Sequence, residues 1–207
     1  NSTRDWVKKF VKPNIEEHFQ RAETPSYLVK ELSNIGAFGL IIPENYGGVG
    51  ADYISFGLMM QELERGDSSI RVISSIQTSL VMYAIYRFGS EEQRQKYLPK
   101  LAIGEMLGAF GLTEPDFGSN PSSMHSYYKE DGDNIVINGS KMWIGNAETA
   151  DIAIIWIKDE SGEVKGVIVE TKNITNFTTT TLKDKWSFRS SKTGELVFSD
   201  SVLPKEQ

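Results

Sequence analysis

The hydrophobic periodicity of the chain changes between residues 105 and 110, and this change limits the fold more than any other feature. Before it, apolar residues recur at the spacing of amphipathic helices, and Ser90 followed by Gln93 forms a capping box. After it, alternating or wholly apolar stretches predict strands at 135–137, 151–157, 164–170, 178–182 and 195–198. Helices followed by strands predict a segregated α+β protein. We expect an all-α domain over 1–107 and an antiparallel β-barrel or sandwich over 108–207.

Composition excludes several classes of site. The 207 residues include no cysteine, which rules out disulfides, thiolate catalysis and cysteine metal sites. The histidines, His18 and His125, lie far apart with no carboxylate pattern around them, so we predict no metal site. The net charge of −6 argues against a nucleic-acid partner, and no apolar run approaches the length of a membrane span.

The stretch from Ala109 to Pro121 carries the most distinctive chemistry. Pro115 removes a backbone donor and ends any regular element, while Gly118 and Ser119 let a ligand approach the backbone closely. The hydroxyls of Thr113 and Ser119 add hydrogen-bonding groups, and no nucleophile is paired with a base. A series of backbone N–H groups and hydroxyls of this kind suits a flat electron-accepting ring or a phosphate. An ordinary exit from a strand into a loop fits the same residues.

Three ordered segments resemble one family. The segment 109–121 is similar to the flavin-binding signature of acyl-CoA dehydrogenases, 138–146 is similar to a second signature, and 185–196 resembles the hairpin that closes the family's β-domain. Within the family, 89–101 and 112–115 resemble the glutaryl-CoA dehydrogenase branch.

The resemblance implies an FAD-dependent oxidation of an acyl-CoA between its α and β carbons, here glutaryl-CoA with decarboxylation to crotonyl-CoA. It also implies an electron-transfer flavoprotein or a similar acceptor, a homotetramer, and a cytoplasmic location in a bacterium or the mitochondrial matrix in a eukaryote. The family's C-terminal four-helix bundle, which carries the catalytic glutamate, is expected beyond Gln207. We therefore expect no catalytic residue in this chain and no activity from it alone.

By the same resemblance, the cofactor-binding residues lie on the first two signatures. The Thr113 hydroxyl and neighbouring N–H groups would donate to the flavin, and Trp143 would pack against its ring, although a turn hydroxyl and a core tryptophan are the alternatives. Gly145 stands where the family usually has Thr or Ser, and Glu114 is predicted to be structural and not a base. The full set of predicted cofactor-binding residues is Phe110, Gly111, Leu112, Thr113, Gly118, Ser119, Trp143, Ile144 and Gly145.

The predicted substrate-binding residues are Arg71, Val72 and Ser119. Arg71 lies in an otherwise apolar or small-residue segment, so it pairs either with a protein carboxylate such as Glu64 or with a ligand anion. In the glutaryl-CoA branch the matching arginine holds the distal carboxylate, but the serine that follows it there is Val72 here. The alternatives are a short-chain acyl-CoA dehydrogenase or oxidase with Arg71 in a structural ion pair, a non-catalytic flavin-binding module and, less well supported, a β-sandwich binding module.

Overall fold

The computed structural model describes residues 2–205, which fall into two compact units. The helical unit contains the chain up to Leu107 together with Lys183–Lys192, and the sheet unit contains Gly108–Leu182 and the chain from Thr193 onward. The division drawn from the sequence did not include the excursion of 183–192.

Several helices of the helical unit begin at a residue whose side chain caps the first turn. Asp52 accepts a hydrogen bond from the Ser55 N–H at 2.7 Å, and the predicted capping box of Ser90 and Gln93 is confirmed. No helix within residues 2–205 is long and apolar enough to cross a membrane. The α-helices are α1 (Ser2–Trp6), α2 (Ile15–Arg21), α3 (Ser26–Asn34), α4 (Tyr53–Glu64), α5 (Ser68–Ser75), α6 (Tyr83–Phe88) and α7 (Glu91–Ala102), with π-helical segments at Val7–Val11 and Ile76–Met82.

The excursion Lys183–Lys192 is joined to α2 by hydrogen bonds from the Arg189 side chain to backbone carbonyls. The Arg189 guanidinium donates to the carbonyls of Phe19 at 2.9 Å and Gln20 at 3.2 Å. The Lys185 ammonium folds the excursion onto itself by donating to the carbonyls of Phe188 and Ser191. Because the contacts of Arg189 with Phe19 and Gln20 join residues far apart in sequence, no local pattern indicated them.

The sheet unit is one seven-stranded sheet over the residues that the structure describes. The strands are β1 (Gly108–Gly111), β2 (Tyr127–Asp131), β3 (Asn134–Gly145), β4 (Ile152–Lys158), β5 (Val164–Glu170), β6 (Phe177–Thr181) and β7 (Thr193–Pro204). Their spatial order is β1-β4-β2-β3-β7-β6, with β5 paired to β4.

The predicted segregation into a helical part followed by a strand part is confirmed, but the prediction of an antiparallel barrel or sandwich is wrong. The sheet is mixed, because β1 and β2 both pair with β4 in parallel while the other pairs are antiparallel. Strand patterns record which side chains are buried and carry no information on strand direction, so parallel pairs between strands that are not consecutive in the sequence were not foreseeable.

Each unit has its own hydrophobic core. In the helical unit, α1, α3 and α5 bury apolar side chains, and the fully buried large ones include Leu28, Leu32, Phe38, Leu63 and Ile70. In the sheet unit the inward-facing positions of the strands form the core, which includes Ala109, Ile137, Ile155, Val169, Leu196 and Phe198. The core of the sheet unit fixes the end of β1, from which the candidate site begins.

Candidate functional site

The sheet unit brings the loop that follows β1 beside an irregularity in β3. The Met142 N–H donates to the Thr113 carbonyl at 2.9 Å, which joins the two segments. The pairing of β3 with β7 shifts register between Lys141 and Ile144, and Trp143 lies in this bulge with φ of +63°. A bulge turns a side chain out of the alternating pattern, and the Trp143 ring is accordingly 63% exposed. The predicted alternative of a core tryptophan is therefore wrong.

A buried ion pair lies beneath the loop. Lys141 Nζ is 2.8 Å from Glu114 Oε1, and the Lys141 side chain is fully buried. The Glu114 carboxylate also accepts from the backbone N–H groups of His125 at 2.6 Å and Ser126 at 2.9 Å. Lys141 Nζ donates in addition to the Leu112 carbonyl at 3.2 Å. The pair thus ties the start of the loop to β3 and to the chain entering β2.

The surroundings of this pair decide its ionisation. Burial favours the neutral carboxyl of Glu114, but the hydrogen bonds from Lys141, Ser126 and His125 outweigh it and lower the pKa of Glu114 to about 2. Burial also lowers the pKa of the Lys141 ammonium, and the neighbouring carboxylate opposes that change. Glu114 is therefore an ionised structural group, in agreement with its predicted structural role.

The far part of the loop presents donors without partners. Among residues 2–205, no acceptor is hydrogen-bonded by the hydroxyls of Thr113 and Ser119 or by the N–H groups of Gly118 and Ser119. A Cβ built on Gly118 would meet no atom within 4 Å, so a ligand can approach this backbone closely. Unsatisfied donors on an open loop fit an acceptor-rich group such as the pyrimidine edge of a flavin or a phosphate.

The remaining predicted cofactor residues lie along the same two strands. Phe110 is partly buried on β1, its ring centroid 6.0 Å from that of Trp156, and a Cβ on Gly111 would lie 2.7 Å from Ile155. Ile144 is 3% exposed and belongs to the core, so its side chain is committed to packing. Gly145 ends β3 opposite Thr193 of β7 and supplies no hydroxyl.

Arg71 and Val72 lie on α5 of the helical unit. Arg71 Nε is 2.7 Å from Glu64 Oε2, and its Nη1 lies 3.5 Å from the Ser75 hydroxyl. The guanidinium also lies 5.8 Å from the centroid of the Phe188 ring. Its side chain is 27% exposed, and within the described chain Nη2 has no hydrogen-bond partner. The protein carboxylate that sequence analysis offered as the alternative partner is present, and one edge of the guanidinium is still open.

Sequence reasoning missed two residues that build the site. Lys141 had no assigned role, although a lysine in a strand with apolar alternation is a recognisable signal of a buried, paired charge. Asn146 is 3% exposed and donates through Nδ2 to the Gly108 carbonyl at 3.0 Å, which fixes the end of β3 to the start of β1. Its φ of +63° is a conformation that asparagine tolerates better than most residues.

Comparison with known families identifies this arrangement. The model described as "Acyl-CoA dehydrogenase, N-terminal domain" matches residues 1–105, and that described as "Acyl-CoA dehydrogenase, middle domain" matches residues 109–201. The chain belongs to the acyl-CoA dehydrogenase family. The loop and the bulge described above both lie in the family's middle domain, and Arg71 lies in its N-terminal domain.

Individual members of the family differ in the substrate that their names specify. The chain is 36% identical to a glutaryl-CoA dehydrogenase of Desulfococcus multivorans over 98% of its length and 54% of that protein. It is 37% identical to a short-chain specific acyl-CoA dehydrogenase of Clostridium acetobutylicum, again over 98% of this chain and 54% of that protein.

A solved structure agrees with the fold. The crystal structure of a glutaryl-CoA dehydrogenase from Mycobacterium smegmatis in complex with FADH2 is 44% identical, with a TM-score of 0.95 over 99% of this chain and 52% of that one. The chain thus spans about half the length of the acyl-CoA dehydrogenases that it matches.

Proposed function

We propose that the protein containing this chain is an FAD-dependent acyl-CoA dehydrogenase that oxidises glutaryl-CoA. One observation supports the cofactor assignment most strongly. The loop after β1, whose donors have no partner in the described chain, lies beside the β3 bulge that exposes the Trp143 ring. FAD would supply the acceptor for the hydride that leaves the β carbon.

The residues of this chain would bind and orient the cofactor. The Thr113 hydroxyl and the N–H groups of Gly118 and Ser119 are free to donate to it, and donors aimed at the position where negative charge develops favour reduction. Trp143 offers a rigid apolar surface for one face of a ring. Gly145 leaves no side-chain hydroxyl at the end of β3, so any donor there is a backbone group.

The base that removes the α-proton is not among the site residues. Glu114 has a pKa of about 2 and is 5% exposed, so it is a weak and inaccessible base. We propose that a glutamate outside these 207 residues takes this role, as the family resemblance implies.

Arg71 supports glutaryl-CoA as the substrate. A dicarboxylic acyl chain carries a distal carboxylate, and a guanidinium binds a carboxylate well through two parallel N–H groups. Glu64 uses Nε of Arg71, while Nη2 makes no hydrogen bond within residues 2–205 and the side chain is partly exposed. An arginine with one edge fixed by the protein is oriented in advance for a ligand at its other edge.

A second candidate is a short-chain acyl-CoA dehydrogenase. The 2.7 Å contact with Glu64 favours it, because an arginine that is already paired needs no ligand anion. In that case the substrate carries no distal charge, and Arg71 contributes only to the stability of α4 and α5.

Replacement of Arg71 distinguishes the two candidates. In the full-length protein, Arg71→Met is expected to lower kcat/KM for glutaryl-CoA by roughly 10- to 100-fold, the value of a charged hydrogen bond, and to change kcat/KM for butyryl-CoA far less. Arg65→Met, at an exposed arginine paired with Glu62, is the matched control and should change neither. An equal loss with both substrates would assign Arg71 a structural role.

The partners belong to the same proposal. An electron-transfer flavoprotein or a similar acceptor and assembly as a homotetramer follow from the family resemblance.

A further inference from the structure

The ion pair of Glu114 and Lys141 does more than connect two segments of the sheet unit. A buried ion pair is costly to desolvate, and uncharged side chains of similar volume often stabilise a core equally well. The Glu114 carboxylate is satisfied without Lys141 by the N–H groups of His125 and Ser126. The presence of a fully buried ammonium therefore calls for a role that a neutral side chain could not fill.

The direction in which Lys141 donates indicates that role. Besides Glu114 at 2.8 Å, its ammonium contacts the Leu112 carbonyl at 3.2 Å and the Met124 sulfur at 3.8 Å. The Leu112 carbonyl and the Thr113 N–H belong to one peptide group. A cation at the carbonyl polarises that group, and hydrogen bonds in a chain strengthen one another in a low-dielectric interior.

The Thr113 N–H is available to use this polarisation. It donates to no acceptor in the described part of the chain, while the Thr113 carbonyl is held by the Met142 N–H at 2.9 Å. The Leu112–Thr113 peptide is thus held through its own carbonyl, and the next peptide is held through the Thr113 carbonyl. The Thr113 N–H is left free, with the buried ammonium at the opposite end of its peptide group.

We propose that Lys141 is a positioning residue that acts through the peptide between Leu112 and Thr113 to strengthen binding of the reduced, negatively charged flavin over the oxidised one. The inference rests on the proposed function, since it requires that this loop binds FAD. Glu114 holds the ammonium in place and supplies the compensating charge.

The test is the midpoint reduction potential of the flavin bound to the full-length protein, measured by spectroelectrochemical titration. Lys141→Met is expected to lower the ratio of affinities for reduced over oxidised flavin at least tenfold, which is about 30 mV for a two-electron couple. Glu114→Gln removes the anion and keeps the ammonium, so it should leave the ratio unchanged or raise it. Lys205→Met, at an exposed pair with Glu130 in the same unit, is the control and should have no effect.

A merely structural role predicts a different result. If the pair only holds the loop, Lys141→Met and Glu114→Gln loosen it alike and shift the potential in the same direction, and this would overturn the proposal. An unchanged potential in Lys141→Met would also overturn it.

The outcomes for this inference and for the proposed function are distinguishable. An unaltered protein that takes up no flavin refutes both, whereas a flavin that acyl-CoA bleaches but Lys141→Met does not shift refutes only the role of Lys141. If a single variant does not fold, the double variant Glu114→Gln with Lys141→Met leaves no unpaired buried charge. It should bind flavin with a lowered potential, and an unchanged potential would contradict the inference.

Discussion

The ionisation of Glu114 makes the unfolding free energy of the protein depend on pH. Its pKa is lowered from 4.5 to about 2, so its contribution is complete above about pH 4.5 and is lost as the pH falls towards 2. We expect the loss of unfolding free energy caused by Glu114→Gln to be smaller at pH 3 than at pH 7, by on the order of 2 kcal/mol. Urea unfolding at the two pH values measures this difference, and equal losses would show that folding does not lower the pKa of Glu114.

Trp143 is the residue at which fold and ligand binding can be separated. Its positive φ disfavours a bulky side chain, and its ring is 63% exposed. Trp143→Gly relieves this backbone strain at some entropic cost. The free energy of unfolding of the flavin-free protein should therefore change by less than about 1 kcal/mol. Flavin affinity should fall by about 1.5–3 kcal/mol, the value of burying a large apolar side chain. A large loss of stability without a loss of flavin affinity would contradict the proposed contact.

At the scale of elements, a second irregularity in β3 allows the chain before β2 to cross it closely. Gly139 has φ of +141°, and a Cβ on it would lie 2.7 Å from the Ser126 backbone. Gly139→Ala should therefore cost more than about 2 kcal/mol of unfolding free energy, because the obstructing atoms include the Ser126 Cα, a backbone atom that cannot move aside. Gly132→Ala is the control, since its φ is +60° but its Cβ would meet nothing within 4 Å. Equal losses in thermal or urea unfolding would exclude close packing as the cause.

Most elements could be predicted from the sequence, and the exceptions have physical reasons. The strand β5 was predicted with the observed bounds, Val164–Glu170, and the cap at Ser90 was predicted because capping depends on residues only a few positions apart. The strand β2 was missed because its five residues are mostly exposed and charged. The parallel pairing of β1 with β4 was missed because β2 and β3 lie between these two strands in the sequence.

The candidate site shows the same limit. The loop residues and Trp143 were predicted because they lie within recognisable signatures. Lys141 lies within the second signature but was given no role, because its role depends on a contact with Glu114, 27 positions away in sequence. A sequence pattern indicates the residues of a signature. The contact between Lys141 and Glu114 that supports them can be recognised only in the folded structure.

At the scale of the whole molecule, the proposed function draws on residues of both units. The sheet unit holds the predicted cofactor-binding residues, and the helical unit holds Arg71, the residue proposed to select the substrate. The proposed base belongs to neither unit, so we expect the proposed reaction only from the full-length protein.

The most direct test is anaerobic bleaching of the flavin absorbance in the full-length protein, with glutaryl-CoA and butyryl-CoA added separately. We predict that the protein carries flavin and that glutaryl-CoA bleaches it rapidly while butyryl-CoA has little effect. A preference for butyryl-CoA would contradict the glutaryl-CoA assignment and favour the short-chain class. Absence of flavin, or no bleaching by either compound, would contradict the central claim that the loop after β1 and the Trp143 bulge form the cofactor site of a dehydrogenase acting on these substrates.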